Sequence, residues 1–222
     1  MLFRSRNYIT GKFERFLHNN SKPNSIANNS TMCVIEDDSG YIWVTLWNKG
    51  IDKFDEKQNA FEHYAFDDKS IKGFNFNLCN KIAKNSKGHF LILCRFEMVD
   101  FDPVTKTFRK IFKAFDDFNK QQAFNCFISV CTDSSDHLWL GTWDNGLIHF
   151  NPFQNDWEQF LIRDKLADSQ NRIHSIQVKS GSELYIASLK DGFGIFDITT
   201  HRFSFYRHIL DDPYSFPSND NV

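Results

Sequence analysis

A large side chain at the centre of a short apolar run returns four times, at Trp43, Leu91, Trp139 and Tyr185, spaced 48, 48 and 46 residues. The surrounding text returns with it. "DSGYIWVTLWNKGIDKFDEKQNAFEHY" is followed by "SKGHFLILCRFEMVDFDPVTKTFRKI", "SSDHLWLGTWDNGLIHFNPFQNDWEQF" and "GSELYIASLKDGFGIFDITTHRFSFY". Each copy closes its third run on a ring (Phe54, Phe101, Phe150, Phe196) and opens its fourth on another (Phe61, Phe108, Trp157, Phe203). Tyr64, Ile111, Phe160 and Tyr206 follow three residues on. The register is kept with one deletion, in the second copy. A period of this length marks a chain built from stacked supersecondary units, and it constrains the fold more than any single motif.

Within the first copy, "TMCVIE", "YIWVTL", "IDKF" and "FEHYA" favour alternation of apolar and polar residues between Asp/Ser/Gly and Asn/Lys/Gly clusters, so they read as strands. Short loops between them imply antiparallel meanders. Four strands per ~45 residues is the pattern of a propeller blade. A lone four-stranded sheet has two faces to bury, and radial stacking buries both. Each copy therefore needs its own rings, which accounts for 25 Phe in 222 residues. No segment carries a helical apolar stripe longer than two turns. The fold class read from the sequence is all-β: a β-propeller of four-stranded antiparallel blades, with four full repeats of about 48 residues.

The chain reads as a single, partial β-propeller domain over 1–222, with repeats at about 20–67, 68–115, 116–163 and 164–210. "NYITGKFERF" aligns with the end of a copy, Phe13 lying 48 residues before Phe61, so residues 1–19 are expected to end a preceding blade. "KPNSIANN" at 22–29 matches "DPYSFPSN" at 212–219, four periods on, so residues 211–222 are expected to begin a following one. A fragment of a larger propeller, an arc or incomplete ring, is expected over a closed ring of four blades. Open terminal blades leave unpaired strand edges, which favour a homodimer.

Composition removes several function classes. A net charge of -2 provides no broad basic field, so nucleic acid is not an expected partner. No apolar run approaches the ~20 residues of a membrane helix, and "MLFRSRNYIT" has no apolar stretch behind its charges, so neither a membrane segment nor a signal peptide is expected in this chain. The five cysteines (33, 79, 94, 126, 131) lack metal-ligand spacing and mostly sit in apolar runs, where free Cys acts as a small hydrophobe. The eight histidines form no HxxH or HExxH, and His89 and His137 are equivalent positions in successive copies. No metal or cofactor is expected. No Gly-x-Ser-x-Gly elbow occurs, and "DGFG" at 191–194 lacks the strand–helix context of a phosphate loop.

"VIEDDSGYIWVTLWNKGIDKFD" and "VCTDSSDHLWLGTWDNGLIHFN" resemble the two-component regulator propeller repeat. That pattern is an apolar pair, Glu-Asp, a Gly turn, apolar-Trp-apolar-Gly-Thr, a Gly-Leu and an aromatic-Asp. The second copy departs from it, with Phe90-Leu91-Ile92 for the Trp core and Arg95-Phe96-Glu97 for the Gly turn; the fourth keeps Gly192 and Phe196-Asp197 but has Tyr185 for Trp. The resemblance covers essentially the whole chain. It implies part of the periplasmic sensor region of a hybrid histidine kinase/response regulator of gut, Bacteroides-like bacteria, sensing polysaccharide fragments. The propellers of that family have about seven blades each and are followed by a β-sandwich, a membrane helix, kinase and regulator domains, none of which is read in these residues.

Glu36-Asp37 and Asp133 offer carboxylates of the type a glycosidase uses. They fall at the turn between first and second strands, where Asp and Ser cap their own backbone, and "DSGYIW" is also similar to the Asp-box turn of sialidase propellers. A structural turn is expected there and no catalytic residue is assigned. Trp43 and Trp139, mid-strand, are expected to pack between blades. Trp47 and Trp143 lie just past the second strand, 96 residues apart, in a turn that shares a propeller face with the inter-blade linkers. A sugar stacks its C–H face on an indole while polar neighbours orient its hydroxyls. The candidate ligand-binding set is therefore Trp47, Asn48, Lys49, Asn75, Asn77, Arg95, Glu97, Asn125, Trp143, Asp144, Asn145, Arg172, Lys190 and Asp191. A purely structural role for that turn stays open. The expected function is a non-catalytic sensor segment with an oligosaccharide ligand; the alternatives are a propeller glycosidase or lyase, and a protein-interaction scaffold.

Overall fold

The computed structural model describes residues 3–6, 10–47, 49–64, 79–94, 97–111, 127–163 and 171–215. Among these, every regular element is a strand. Strands β1 (Arg4–Arg6) and β2 (Phe13–Arg15) form an antiparallel pair. Four blades follow. The first comprises β3 (Thr31–Glu36), β4 (Ile42–Leu46), β5 (Gly50–Asp55) and β6 (Ala60–Tyr64); the second, β7 (Cys79–Lys84), β8 (Phe90–Cys94), β9 (Glu97–Asp102) and β10 (Thr107–Lys110). The third comprises β11 (Phe127–Thr132), β12 (Leu138–Thr142), β13 (Leu147–Asn151) and β14 (Asp156–Phe160); the fourth, β15 (Ile173–Ser180), β16 (Glu183–Ser188), β17 (Gly192–Asp197) and β18 (Arg202–Tyr206). In each sheet spatial order follows chain order, so every blade is a meander. The chain divides into two compact units, Met1–Ile82 with Gly88–Lys110, and Ala83–Lys87 with Ile111–Val222.

Two turns recur because their residues recur. At the hairpin between the third and fourth strands, Asp55, Asp102, Asn151 and Asp197 each accept backbone N–H groups two and three residues on. Asn59, Lys106, Asn155 and His201 then take left-handed φ values of 51, 60, 54 and 57°. Such side-chain capping is what places Asp and Asn at these positions. Between the second and third strands, Gly50, Gly146 and Gly192 have φ of 78, 71 and 82°, a region that only glycine enters cheaply. At Gly146 a Cβ would also strike the Phe160 carbonyl oxygen.

In the first unit, Trp43 is 1% exposed and meets the rings of Tyr64 at 5.2 Å, Phe90 at 5.3 Å and Phe101 at 5.4 Å, so it bridges the first blade to the second. The other side of that blade is closed by Phe3 and Phe16, which pack on Phe54 and Phe61 with Ile26, Val44 and Leu46. In the second unit, Trp139 is 2% exposed and packs on Phe160 and on Phe196 of the fourth blade, in a core with Leu147, Ile173, Ile176, Leu184 and Ile186. Close approach of β12 to β15 needs Gly141, where a Cβ would collide with Ser129 Oγ and the Ile173 carbonyl. The expected role of Trp43 and Trp139 as inter-blade packing is the one observed. Cys131 packs against this core, and burial, then the Asp133 charge, pushes its thiol up to about 12, consistent with an inert apolar cysteine.

Candidate functional site

The carboxylates at the strand turn shape the backbone and hold the buried indoles. Asp37 Oδ1 accepts from Ser39 N and Tyr41 N, both at 2.9 Å, while Oδ2 accepts from Trp43 Nε1 at 2.7 Å. The third blade repeats the clamp: Asp133 Oδ1 accepts from Ser135 N at 2.9 Å and His137 N at 3.1 Å, and Oδ2 from Trp139 Nε1 at 3.2 Å. One side chain thus shapes the turn and fixes the buried indole, and Glu36 is exposed at the end of β3. This is the structural turn expected from the sequence.

The other end of the same strand behaves differently. Trp47 and Trp143 are each 40% exposed. The Arg172 guanidinium lies 3.5 Å from the centre of the Trp143 ring, its Nε donates to the Trp143 carbonyl at 3.1 Å, and its terminal nitrogen lies 3.9 Å from Asp144 Oδ1. Asp144 Oδ1 and Asn145 Nδ2 are enclosed by protein yet have no hydrogen-bond partner among the described residues. The turn backbone is held fast: Asn145 N donates to Thr142 Oγ1 at 2.7 Å, Gln159 Nε2 to the Asn145 carbonyl at 2.9 Å, and Gly146 N to the Asn171 carbonyl at 2.8 Å. A rigid loop therefore carries a stacked cation, a partly open indole, a carboxylate and an amide. Trp143, Asp144, Asn145 and Arg172 are the predicted residues that the fold brings together.

The rest of the predicted set divides. Trp47 is exposed in the first blade, its carbonyl accepting from Asn28 Nδ2 at 2.9 Å, and Lys49 is exposed beside it. Lys190 is exposed with φ 74°. Asp191 is fully buried, its Oδ1 taken by Arg163 and, at 2.8 Å, by Arg207, so it braces the fourth blade instead of facing a ligand. Neither arginine was singled out in the sequence, because no local spacing signals a partner 28 or 16 residues away. Asn48, Asn75, Asn77, Arg95 and Asn125 lie outside the described residues, as does the Glu97 side chain. Linker asparagines recur at 29, 77, 125 and 171, spaced 48, 48 and 46. The two described ones act as clasps: Asn29 Oδ1 accepts from His18 N at 2.7 Å, and Asn171 Oδ1 from Arg163 N at 3.0 Å.

Two further polar arrangements lie at the Asp-clamp end of the blades. A cleft of about 490 Å³ in the first blade is lined by Tyr41, Lys53, Asp55, Gln58 and Glu62, among others, with Lys53 Nζ 3.5 Å above the Tyr41 ring. It does not include Trp47. In the third blade His137 Nδ1 and His149 Nε2 lie 3.1 Å apart. Burial first, then His137, holds the His149 pKa below the ordinary histidine value. Within β5, burial pushes the Asp52 carboxyl above the usual aspartate value, although Ala27 N donates to it at 2.8 Å and His63 Nδ1 lies 3.0 Å away.

No protein-family model matches this chain, and no curated protein matches it. Solved structures do. The chain is similar to the extracellular domain of BT3049, assigned to a hybrid two-component system of B. thetaiotaomicron: 20% identity, TM-score 0.73, over 98% of this chain and 27% of that one. It is similar to the extracellular domain of BT4673 from the same organism, assigned to a one-component system, at 17% identity and TM-score 0.65, over 93% and 25%. It is also similar to the WD40 repeats of RRP9, at 13% identity and TM-score 0.61, over 86% and 53%. The chain spans about a quarter of the length of the two extracellular domains. At these identities the likeness is one of fold, and the fold is that of β-propeller blades.

Proposed function

We propose that this chain is a segment of the extracellular, periplasmic sensing propeller of a two-component regulator, and that its β12–β13 turn binds an oligosaccharide. On this reading residues 1–19 complete a blade that precedes the first, and residues 211–222 lead into another. The observation that carries the ligand assignment is the Trp143–Arg172 stack on a partly open indole, with the Asp144 carboxylate beside it. A guanidinium stacked on an indole keeps its planar fork of N–H donors aimed and dehydrated, ready for paired hydroxyls or a uronic carboxylate. The open part of the indole suits a sugar C–H face, and Asp144 adds an acceptor of fixed position. The likeness to extracellular domains of B. thetaiotaomicron signalling systems supports the sensor class.

The test is a glycan-array screen of plant and host fragments with the folded protein, followed by calorimetric titration of each hit into wild type and Arg172→Ala. Saturable one-site binding is expected, weakened at least about tenfold in the variant, which corresponds to roughly 1.4 kcal/mol. Absence of binding to every fragment would leave the chain a scaffold and overturn the ligand assignment.

A further inference from the structure

The position pair facing across the second and third strands, next to the turn that opens the second strand, is filled differently in each blade. In the first it is Tyr41 and Lys53, a cation over a ring at 3.5 Å. In the second it is His89 and Asp100, with Nδ1 and Oδ1 2.9 Å apart. In the fourth, Glu183 at this register pairs instead with Lys179, at 2.9 Å. Each of these is a complementary pair. The third blade places two imidazoles there. His137 Nδ1 and His149 Nε2 lie 3.1 Å apart, and Asp133 Oδ2 lies 3.9 Å from His149 Nε2. The three ligand atoms fall within 4.8 Å of one another, and all three residues are partly accessible.

Two ring nitrogens that close share either one proton or one metal ion. Bond lengths of about 2.0–2.2 Å place donors roughly 3.3 Å apart around a tetrahedral zinc ion, so the imidazole pair already has metal-ligand spacing. We propose that Asp133, His137 and His149 form a binding site for a divalent zinc-class cation, with a coordination position left open to solvent. The surroundings orient these ligands as a second shell does. Trp139, buried in the core, donates Nε1–H to the same Asp133 oxygen and stacks on the His149 ring at 4.3 Å and 26°. Asp133 also fixes the backbone that carries His137. Imidazole with carboxylate selects zinc, nickel or copper over calcium and magnesium. A bound ion would tie the β11–β12 turn to β13 and stabilise the third blade by mass action.

The test is titration of the chelator-stripped chain with zinc alone, by calorimetry, with cobalt absorption as a second readout of coordination. One zinc per chain is expected, with a metal-dependent rise in Tm. His137→Ala and His149→Gln should each weaken binding at least about tenfold, since even outer-shell changes cost 10–100-fold. His89→Ala, at the matching position of the second blade, should leave it unchanged. Should either variant fail to fold, nitrogen-15 NMR of the wild type decides: zinc must shift the ring nitrogens of His137 and His149. Absence of saturable binding, binding indifferent to both substitutions, or shifts confined to other histidines would each overturn the site.

Discussion

Trp139 lies within β12 and Trp143 just past its end, four residues apart. They are the same residue type in the same repeat, and they do opposite things. Trp139 is enclosed between two blades, with its only polar atom held by Asp133. Trp143 is partly open, with its ring under a guanidinium from the next linker. The difference follows from the architecture. In the first and third blades the mid-strand position faces a neighbouring sheet, so its ring is held there by packing. The turn position faces solvent in both the first and third blades, where Trp47 and Trp143 are each 40% exposed.

The contrast can be broken from the buried side first. Trp139→Ala should cost about 3–5 kcal/mol in urea unfolding, the range for truncating a buried large aromatic. A loss under 1 kcal/mol would mean that Trp139 does not bridge the blades. Asp133→Asn keeps one oxygen to accept from the turn N–H groups but sets an amide donor against the indole N–H, and is expected to cost about 1–3 kcal/mol. Paired with Trp139→Phe it should be clearly non-additive, because the two substitutions break one contact.

Asp52 supplies a pH test. Its folded-state pKa is raised by burial, so the folded protein holds a proton longer than the unfolded chain. Stability is then expected to fall as pH rises from near 3.8 through the folded-state value, and the cost is complete above it. Asp52→Asn should remove that decline, which pH-stepped urea melts would register. The smallest stability effects belong to the open turn. Arg172→Ala should cost about 1–2 kcal/mol, the worth of a largely buried cation–π stack.

Most of the fold was legible because its determinants are periodic. Spacing of 48, 48 and 46 between Trp43, Leu91, Trp139 and Tyr185 requires equivalent environments, and the turn residues Asp37, Asp55 and Gly50 act on neighbours a few positions away. The site was legible only in part. Trp143 and Asp144 were placed by their turn, and Arg172 by its linker. Asp191 was misread as facing a ligand because its partners Arg163 and Arg207 come from separate loops. The His137–His149 contact is set by the hairpin register that pairs Trp139 with His149, which a motif search over consecutive residues does not see.

The division between packing ring and recognition ring is tested most directly by calorimetric titration of one array-identified oligosaccharide into wild type and Trp143→Ala, with the urea midpoint of each recorded. Affinity should drop at least about tenfold in the variant, roughly 1.4 kcal/mol, while the midpoint stays close to wild type. Unchanged affinity would place the ligand elsewhere and contradict the assignment. A collapse of stability like that expected of Trp139→Ala would show Trp143 to be a packing ring as well.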